Sequence, residues 1–259
     1  MLGAIIGDIV GSRFEFSNAK TKVFEFFATG CEFTDDTVMT LAVAKALLES
    51  EGDHTRLNAL VTTQMREIGR LYPMCGFGQN FFKWVHSDTM GPYGSYGNGA
   101  AMRVSPCGFA ADTVDAAKLY SLKVTEVTHN HLEGLKGAEA TAACIFLAKT
   151  GTSIPDIRDY VHANYYPMDF TLDKIRESYV FDASCQRSVP QAIAAFLEST
   201  SFEDAIRNAI SLGGDSDTMA AITGGIAEAH YGIPQDIREH ALTFLDERLL
   251  GILAECQGN

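Results

Sequence analysis

The sequence predicts an all-α protein, a single-domain orthogonal helical bundle over residues 1–259. Apolar residues recur at helical rather than alternating spacing in segment after segment. No convincing strand interrupts them: the nearest candidate, VFEFF at 23 to 27, is short enough for a loop or a helix fragment. With 259 residues, 46% of them hydrophobic and 20% charged, the chain can bury one large core unaided. No polar, Pro/Gly/Ser-rich linker divides it near the middle.

Residues 2 to 12 read as a short buried helix. Gly3, Gly7 and Gly11 recur every four residues and leave a smooth face where another backbone can come close. Each glycine costs up to about 1 kcal/mol relative to alanine, so packing has to hold this helix. The run TVMTLAVAKALLES from Thr37 to Ser50 is apolar almost all round, the pattern of a helix at the centre of a larger protein. Residues 72 to 99 form the longest irregular stretch. They are dense in Gly and aromatics and are predicted to be a shaped surface loop of the kind that binds ligands. Helices are then predicted at 110–122, 132–150, 188–199, 201–212, 217–232 and 234–256. Ser201, three residues before Asp204, signals a cap, and Pro234 sits where a first-turn proline is tolerated.

The formal net charge of −13 argues against a general nucleic-acid-binding role, since no Lys/Arg stripe offsets it locally. Metal cations suit the chain better. Cys31, Cys75, Cys107, Cys144, Cys185 and Cys256 are scattered, without a C-x-x-C pair, and read as reduced core thiols. The start MLGAIIGDIVGSRFEF carries Asp8 early and lacks a basic region and a cleavage site, so no export signal is expected. No uncharged apolar run approaches the roughly 18 residues of a membrane helix. A cytoplasmic protein without a membrane partner is the expectation.

Two acidic constellations stand out. Thr34-Asp35-Asp36-Thr37 precedes the long apolar helix, and capping alone is the plainer reading of such a segment. One cap, however, needs one side-chain oxygen, and four oxygen-bearing residues stand here in a row. Gly213-Gly214-Asp215-Ser216-Asp217-Thr218 precedes a second helix, in which Ala221, Gly225 and Ala229 recur every four residues. Its glycines allow a sharp turn, and Asp215 and Asp217 can aim two carboxylates at one point. Such hard oxygen donors suit Mg²⁺ or Mn²⁺ rather than zinc. Brought together without cations, the four aspartates would repel one another, so their convergence would itself imply metal. Asp8, followed seven residues later by Glu15, could add another carboxylate to the same site; for Asp8 alone the preferred reading is a buried acid bonded to backbone, and Glu15 is evenly balanced between a structural acid and a member of the site.

The blocks GDIVGSRFEF, FTDDTVMTLA, GSYGNGAAMRVSP, VTHNH and SLGGDSDTMAAITGGIAEAHYGIP, in this order, resemble the signature blocks of the ADP-ribosylglycohydrolase family across nearly the whole chain. The resemblance implies an all-helical fold with two Mg²⁺ or Mn²⁺ ions. It assigns Thr34, Asp35, Asp36, Asp215, Asp217 and Thr218 as metal ligands and Glu15 as an entrance-loop acid touching metal or water. Gly94, Ser95, Tyr96, Gly97 and Asn98 would hold ADP-ribose, with backbone amides near the pyrophosphate and the tyrosine beside the adenosine. Glycines that admit phosphates and an aromatic stacking face agree with this, although an ordinary Gly/Tyr surface turn would look the same. His129 would lie along the ligand; unaided, it reads as a satisfied core or surface histidine. Met102 and Arg103 read as packing and pairing residues, and Trp84 as either core or pocket wall.

The activity implied is hydrolysis of the glycosidic bond at the ribose anomeric carbon of an ADP-ribosylated protein or other conjugate, with ADP-ribose as product. A carboxylate among Glu15, Asp35, Asp36 and Asp217 would accept the proton; the sequence does not choose between them. The segment between Glu15 and Thr34 is shorter than in many members, which leaves the modified residue open, with arginine preferred over serine. The competing readings are a non-catalytic ADP-ribose or nucleotide-binding protein, against which the intact acids argue, and a metal-dependent nucleotide phosphohydrolase, which would release AMP.

Overall fold

The computed structural model describes residues 1–258. In chain order its helices are α1 (Leu2–Ser12), α2 (Asp35–Ser50), α3 (Leu57–Gly69), α4 (Gln79–Val85) and α5 (Gly99–Met102). There follow α6 (Ser105–Ala110), α7 (Val114–Thr125), α8 (Leu132–Lys149), α9 (Ile154–Asn164) and α10 (Leu172–Ile175). The last are α11 (Cys185–Leu197), α12 (Phe202–Ser211), α13 (Ser216–Tyr231), α14 (Gln235–Leu242) and α15 (Glu247–Gln257). Among the described residues there is no strand, only an isolated antiparallel bridge between Gly97 and Ser184. The predicted fold class is the observed one.

The core is built on α13, which packs against α1, α8, α11 and α12 and is buried from Ser216 to Ala227. α1 lies directly on it through the glycine face. A Cβ on Gly3 would stand 2.2 Å from the Gly224 carbonyl oxygen, and one on Gly7 would stand 2.0 Å from that of Ala220. In return for this closeness α1 buries Leu2, Ile5, Ile6, Ile9 and Val10. At about 1.5–3 kcal/mol for each large apolar side chain, that burial outweighs the intrinsic cost of three helical glycines. The close approach also fixes where the chain leaving α1 meets the start of α13.

α3, α5, α6, α9 and α10 are not among the predicted helices, and three expected elements differ markedly from the expectation. α2 begins at Asp35, not Thr37, because Thr34 caps it by accepting from the Asp36 amide. The stretch 72–99 is not wholly irregular: α4 sits inside it, with Phe81, Trp84 and Val85 buried at i, i+3, i+4 spacing. Trp84 is therefore core, stacked on Phe81 at a ring separation of 5.6 Å, and Arg66 lies over its other side at 4.6 Å. The single helix expected over 234–256 breaks after α14, since Asp246 caps α15 through the Leu249 amide while its carboxylate also accepts from the Tyr72 hydroxyl. The segment 23–27 forms neither strand nor helix.

Candidate active site

The N-terminal ends of α2 and α13 point toward each other, with Asp8 of α1 beneath them and Glu15 on the turn beyond α1. The turn into α13 uses Gly213 and Gly214 at φ +67° and +78°, a left-handed pair that side chains resist, and Asn18 accepts from the Gly214 amide. Asp215 then stands at the N-cap position without spending its carboxylate on a cap. Its Oδ2 instead accepts from the Asn98 side-chain amide at 2.8 Å. Asp217 accepts from the Thr218 amide at 2.9 Å, and the Thr218 hydroxyl donates to Asp36 at 3.2 Å.

Asp8 is fully buried and accepts from the Thr34 amide and hydroxyl at 2.9 and 2.6 Å and from the Thr37 amide and hydroxyl at 3.0 and 2.5 Å. This is the buried, backbone-bonded acid expected. It also stands with the other acids, the less favoured of its two expected roles: oxygens of Asp8, Asp36 and Asp217 lie within 4.8 Å of one another. Glu15, Asp215 and Asp217 make a second such group, so Asp217 belongs to both. Asp35 stands beside them with its amide bonded to the Cys75 carbonyl at 2.7 Å. Gly76, at φ +114°, leaves the room its carboxylate needs, since a Cβ there would lie 2.9 Å from Oδ1.

No lysine or arginine pairs with any of these acids among the described residues. Burial and mutual repulsion therefore push their carboxyls upward. Asp8 rises to about 6 through burial, Glu15 to about 7 through burial and then Asp215, and Asp35 to about 8 through burial and then Asp8. Asp36 and Asp217 are driven well above the carboxylate range by burial first and the neighbouring acids second. Oδ1 of Asp36 is buried with no hydrogen-bond partner. Buried, unpaired, all-oxygen donors of this kind fit divalent cations that prefer carboxylates and hydroxyls.

Glu15, Asp35, Asp36, Asp215 and Asp217 line a cleft of about 440 Å³, within the range of small-molecule sites. Ser95, Gly97, Asn98 and His129 line the same cleft, together with Phe81 and Tyr93, which the sequence reading did not single out. Phe81 was hidden in the stretch read as loop, although the spacing of Phe81, Trp84 and Val85 was a signal for the helix that carries it. Gly94 and Tyr96 do not line the cleft. Gly94 sits on the outer turn with its amide on Asn130, and Tyr96 is half exposed with its ring against His131 at 5.3 Å. Arg103, expected to pack and pair, is fully buried, pairs with Thr128 and His129 and also lines the cleft.

A family model described as ADP-ribosylglycohydrolase matches residues 1–256. The chain is 30% identical over 264 residues to the ADP-ribosylarginine hydrolase Tri1 of Pseudomonas putida strain GB-1, covering 90% of this chain and 70% of that protein. It is 28% identical over 315 residues to the human ADP-ribosylhydrolase ARH3, covering 91% and 85%. Among solved structures, an ADP-ribosylglycohydrolase-related protein complex superposes with a TM-score of 0.67 at 22% identity, over 97% of this chain and 94% of that one, a likeness of fold.

Proposed function

This chain belongs to the ADP-ribosylglycohydrolase family, and on that premise we propose that it is a metal-dependent hydrolase releasing ADP-ribose from an ADP-ribosylated target by cleaving the bond at the ribose anomeric carbon. The carrying observation is the convergence of Asp36 and Asp217 with Glu15 and Asp215 in the cleft, without a cationic partner, and of the fully buried Asp8 within 4.8 Å of Asp36 and Asp217. We read residues 1–259 as one catalytic domain, supported by the extent of the family match. Six free cysteines favour the cytoplasm, and no helix among the described residues is long and apolar enough to cross a membrane.

In this reading Thr34, Asp35, Asp36, Asp215, Asp217 and Thr218 hold two Mg²⁺ or Mn²⁺ ions. When bound, such ions neutralise the acids and supply charge that orients ribose hydroxyls and water. Asp8 organises the α2 end of the site by binding Thr34 and Thr37. Asn98 orients Asp215. Glu15 is half-buried at the open side of the cleft, where a carboxylate can hold or move a proton at its oxygens; Asp35, Asp36 and Asp217 are the other candidates. The 95–99 segment offers backbone to the pyrophosphate, and the neighbouring aromatics Phe81 and Tyr93 offer faces to the remainder of the ligand.

We prefer arginine as the modified residue over serine. The similarity to an ADP-ribosylarginine hydrolase supports this. Incubation with Mg²⁺ and either arginine- or serine-linked ADP-ribosyl peptides, read by mass spectrometry against a chelated control, tests the reading. Metal-dependent release of intact ADP-ribose, faster from arginine, is expected. AMP as product would replace the glycohydrolase by a phosphohydrolase, and tight ADP-ribose binding without turnover would leave a binding protein.

A further inference from the structure

Among the residues that line the cleft Arg103 is the one lysine or arginine, and it has no carboxylate partner. A fully buried charge in that state is costly, and its Nε and Nη1 bond to nothing. What Arg103 does bind is specific. Nη2 donates to the Thr128 hydroxyl at 2.6 Å and lies 3.2 Å from Nδ1 of His129, and the same hydroxyl lies 2.7 Å from that nitrogen. A guanidinium has only donors. The Thr128 hydroxyl, with two lone pairs and one proton, can accept from Arg103 and either donate to Nδ1 or accept from an Nδ1–H. The Arg103 contact alone demands a lone pair on Nδ1, which leaves the ring proton on Nε2. Nε2 in turn faces the glycines of the opposite segment, 3.3 Å from where a Cβ of Gly99 would stand and 3.7 Å from that of Gly97.

We propose that Arg103 is a positioning residue: it locks His129 as the neutral Nε2–H tautomer, so that the imidazole presents one fixed donor to an anionic oxygen of a ligand lying along the 97–99 backbone. A neutral donor beside Nδ1 would set the tautomer equally well. Only a cation also resists imidazolium formation in a cleft this rich in carboxylates, and an imidazolium would donate from both nitrogens and lose its partner. Burial, and then the Arg103 charge, hold His129 well below the usual histidine range. The titratable groups facing the ring are Arg103, lowered by burial to about 10 and so still charged at neutral pH, and Tyr93, raised by burial to about 12 and so still protonated. That the anionic oxygen belongs to ADP-ribose rests on the proposed function; the tautomer does not.

The test is long-range ¹H–¹⁵N correlation on the Mg²⁺-loaded protein labelled at histidine, with the His129 signals assigned by their loss in His129→Gln. A neutral Nε2–H pattern unchanged between about pH 6 and about pH 8 is expected. An Nδ1–H pattern, or titration in that window, overturns the proposal. In Arg103→Met the ring should exchange tautomers or titrate, and ADP-ribose affinity should fall about tenfold, the loss of one good hydrogen bond to a charged group. An unchanged spectrum and affinity there also overturn it. Thr128→Val, of nearly equal volume, serves if that variant does not fold: retention of Nε2–H assigns the lock to Arg103, and a switch to Nδ1–H transfers it to Thr128 and ends the proposal. Absence of ADP-ribose binding beside an intact Nε2–H signal would bear out the lock and remove the ligand.

Discussion

Oδ1 of Asp36 lies buried without a partner beside the carboxylates of Asp8 and Asp217. An ordinary cap would leave no such atom. A buried, unsatisfied polar group costs about 1–3 kcal/mol, and more when charged. Asp36→Asn is therefore expected to behave oppositely in two conditions. In chelator it should melt a few degrees above the wild type, since about 1 kcal/mol corresponds to roughly 2–4 °C in a chain of this size. With Mg²⁺ or Mn²⁺ the wild type should gain stability while the variant gains little, and turnover should drop at least about 10²-fold. Paired melting curves read both effects, and a variant less stable than wild type in chelator would speak against an uncompensated acid. Asp35, Asp36, Asp215 and Asp217 were legible in the sequence because adjacent and alternate acids at helix starts are a local pattern. Tyr96 and Gly94 were not placeable that way: whether a loop residue faces inward depends on packing against His131 and Asn130 from another segment. The partners of Arg103 were out of reach for the same reason, as Thr128 and His129 lie 25 and 26 residues away.

The α1–α13 contact carries Asp8 on one helix and Asp215 and Asp217 at the head of the other, so helix spacing and site geometry are one quantity. Gly7→Ala would set a methyl group 2.0 Å from the Ala220 carbonyl oxygen, a backbone atom held by its own helix that cannot swing aside. Overpacking of this kind costs about 1–3 kcal/mol or more, and the displaced helices should take activity with them. Gly251→Ala in α15 is the control: a Cβ there meets nothing within 4 Å, and the helix should gain up to about 1 kcal/mol. Urea midpoints that moved in the same direction for both would contradict the close-packing account. The glycine face of α1 was readable because every-fourth glycines cannot be explained by propensity. α4 escaped notice because glycines and tyrosines on both sides masked its apolar spacing. The break between α14 and α15 escaped because periodicity runs on across it, and the side chain that stops it, Asp246, is held by Tyr72 from far along the chain.

For the whole molecule, the acid cluster sets how stability depends on pH when no cation is bound. Asp8, Glu15 and Asp35 are raised to about 6, about 7 and about 8, and Asp36 and Asp217 are raised well above the usual carboxylate range. An unfolded chain releases these protons near pH 4, whereas the folded one keeps them. The folded form therefore binds more protons between about pH 4 and about pH 8, and linkage makes stability fall as pH rises through that window. The contribution is complete below about pH 4 and is lost once the folded-state carboxyls ionise. Cations reverse the balance, because they bind the ionised acids and displace protons, so their stabilisation should grow with pH. Melting temperatures at about pH 5, 6.5 and 8, each with chelator and with saturating Mg²⁺ or Mn²⁺, are expected to diverge steadily as pH rises. The formal charge of −13 acts in the same direction through general repulsion, and Asp36→Asn with Asp217→Asn separates the two: the double variant keeps nearly all of the surface charge. In it the divergence should collapse. A gap that persisted undiminished would place the cation effect on the surface of the protein and not in the cleft.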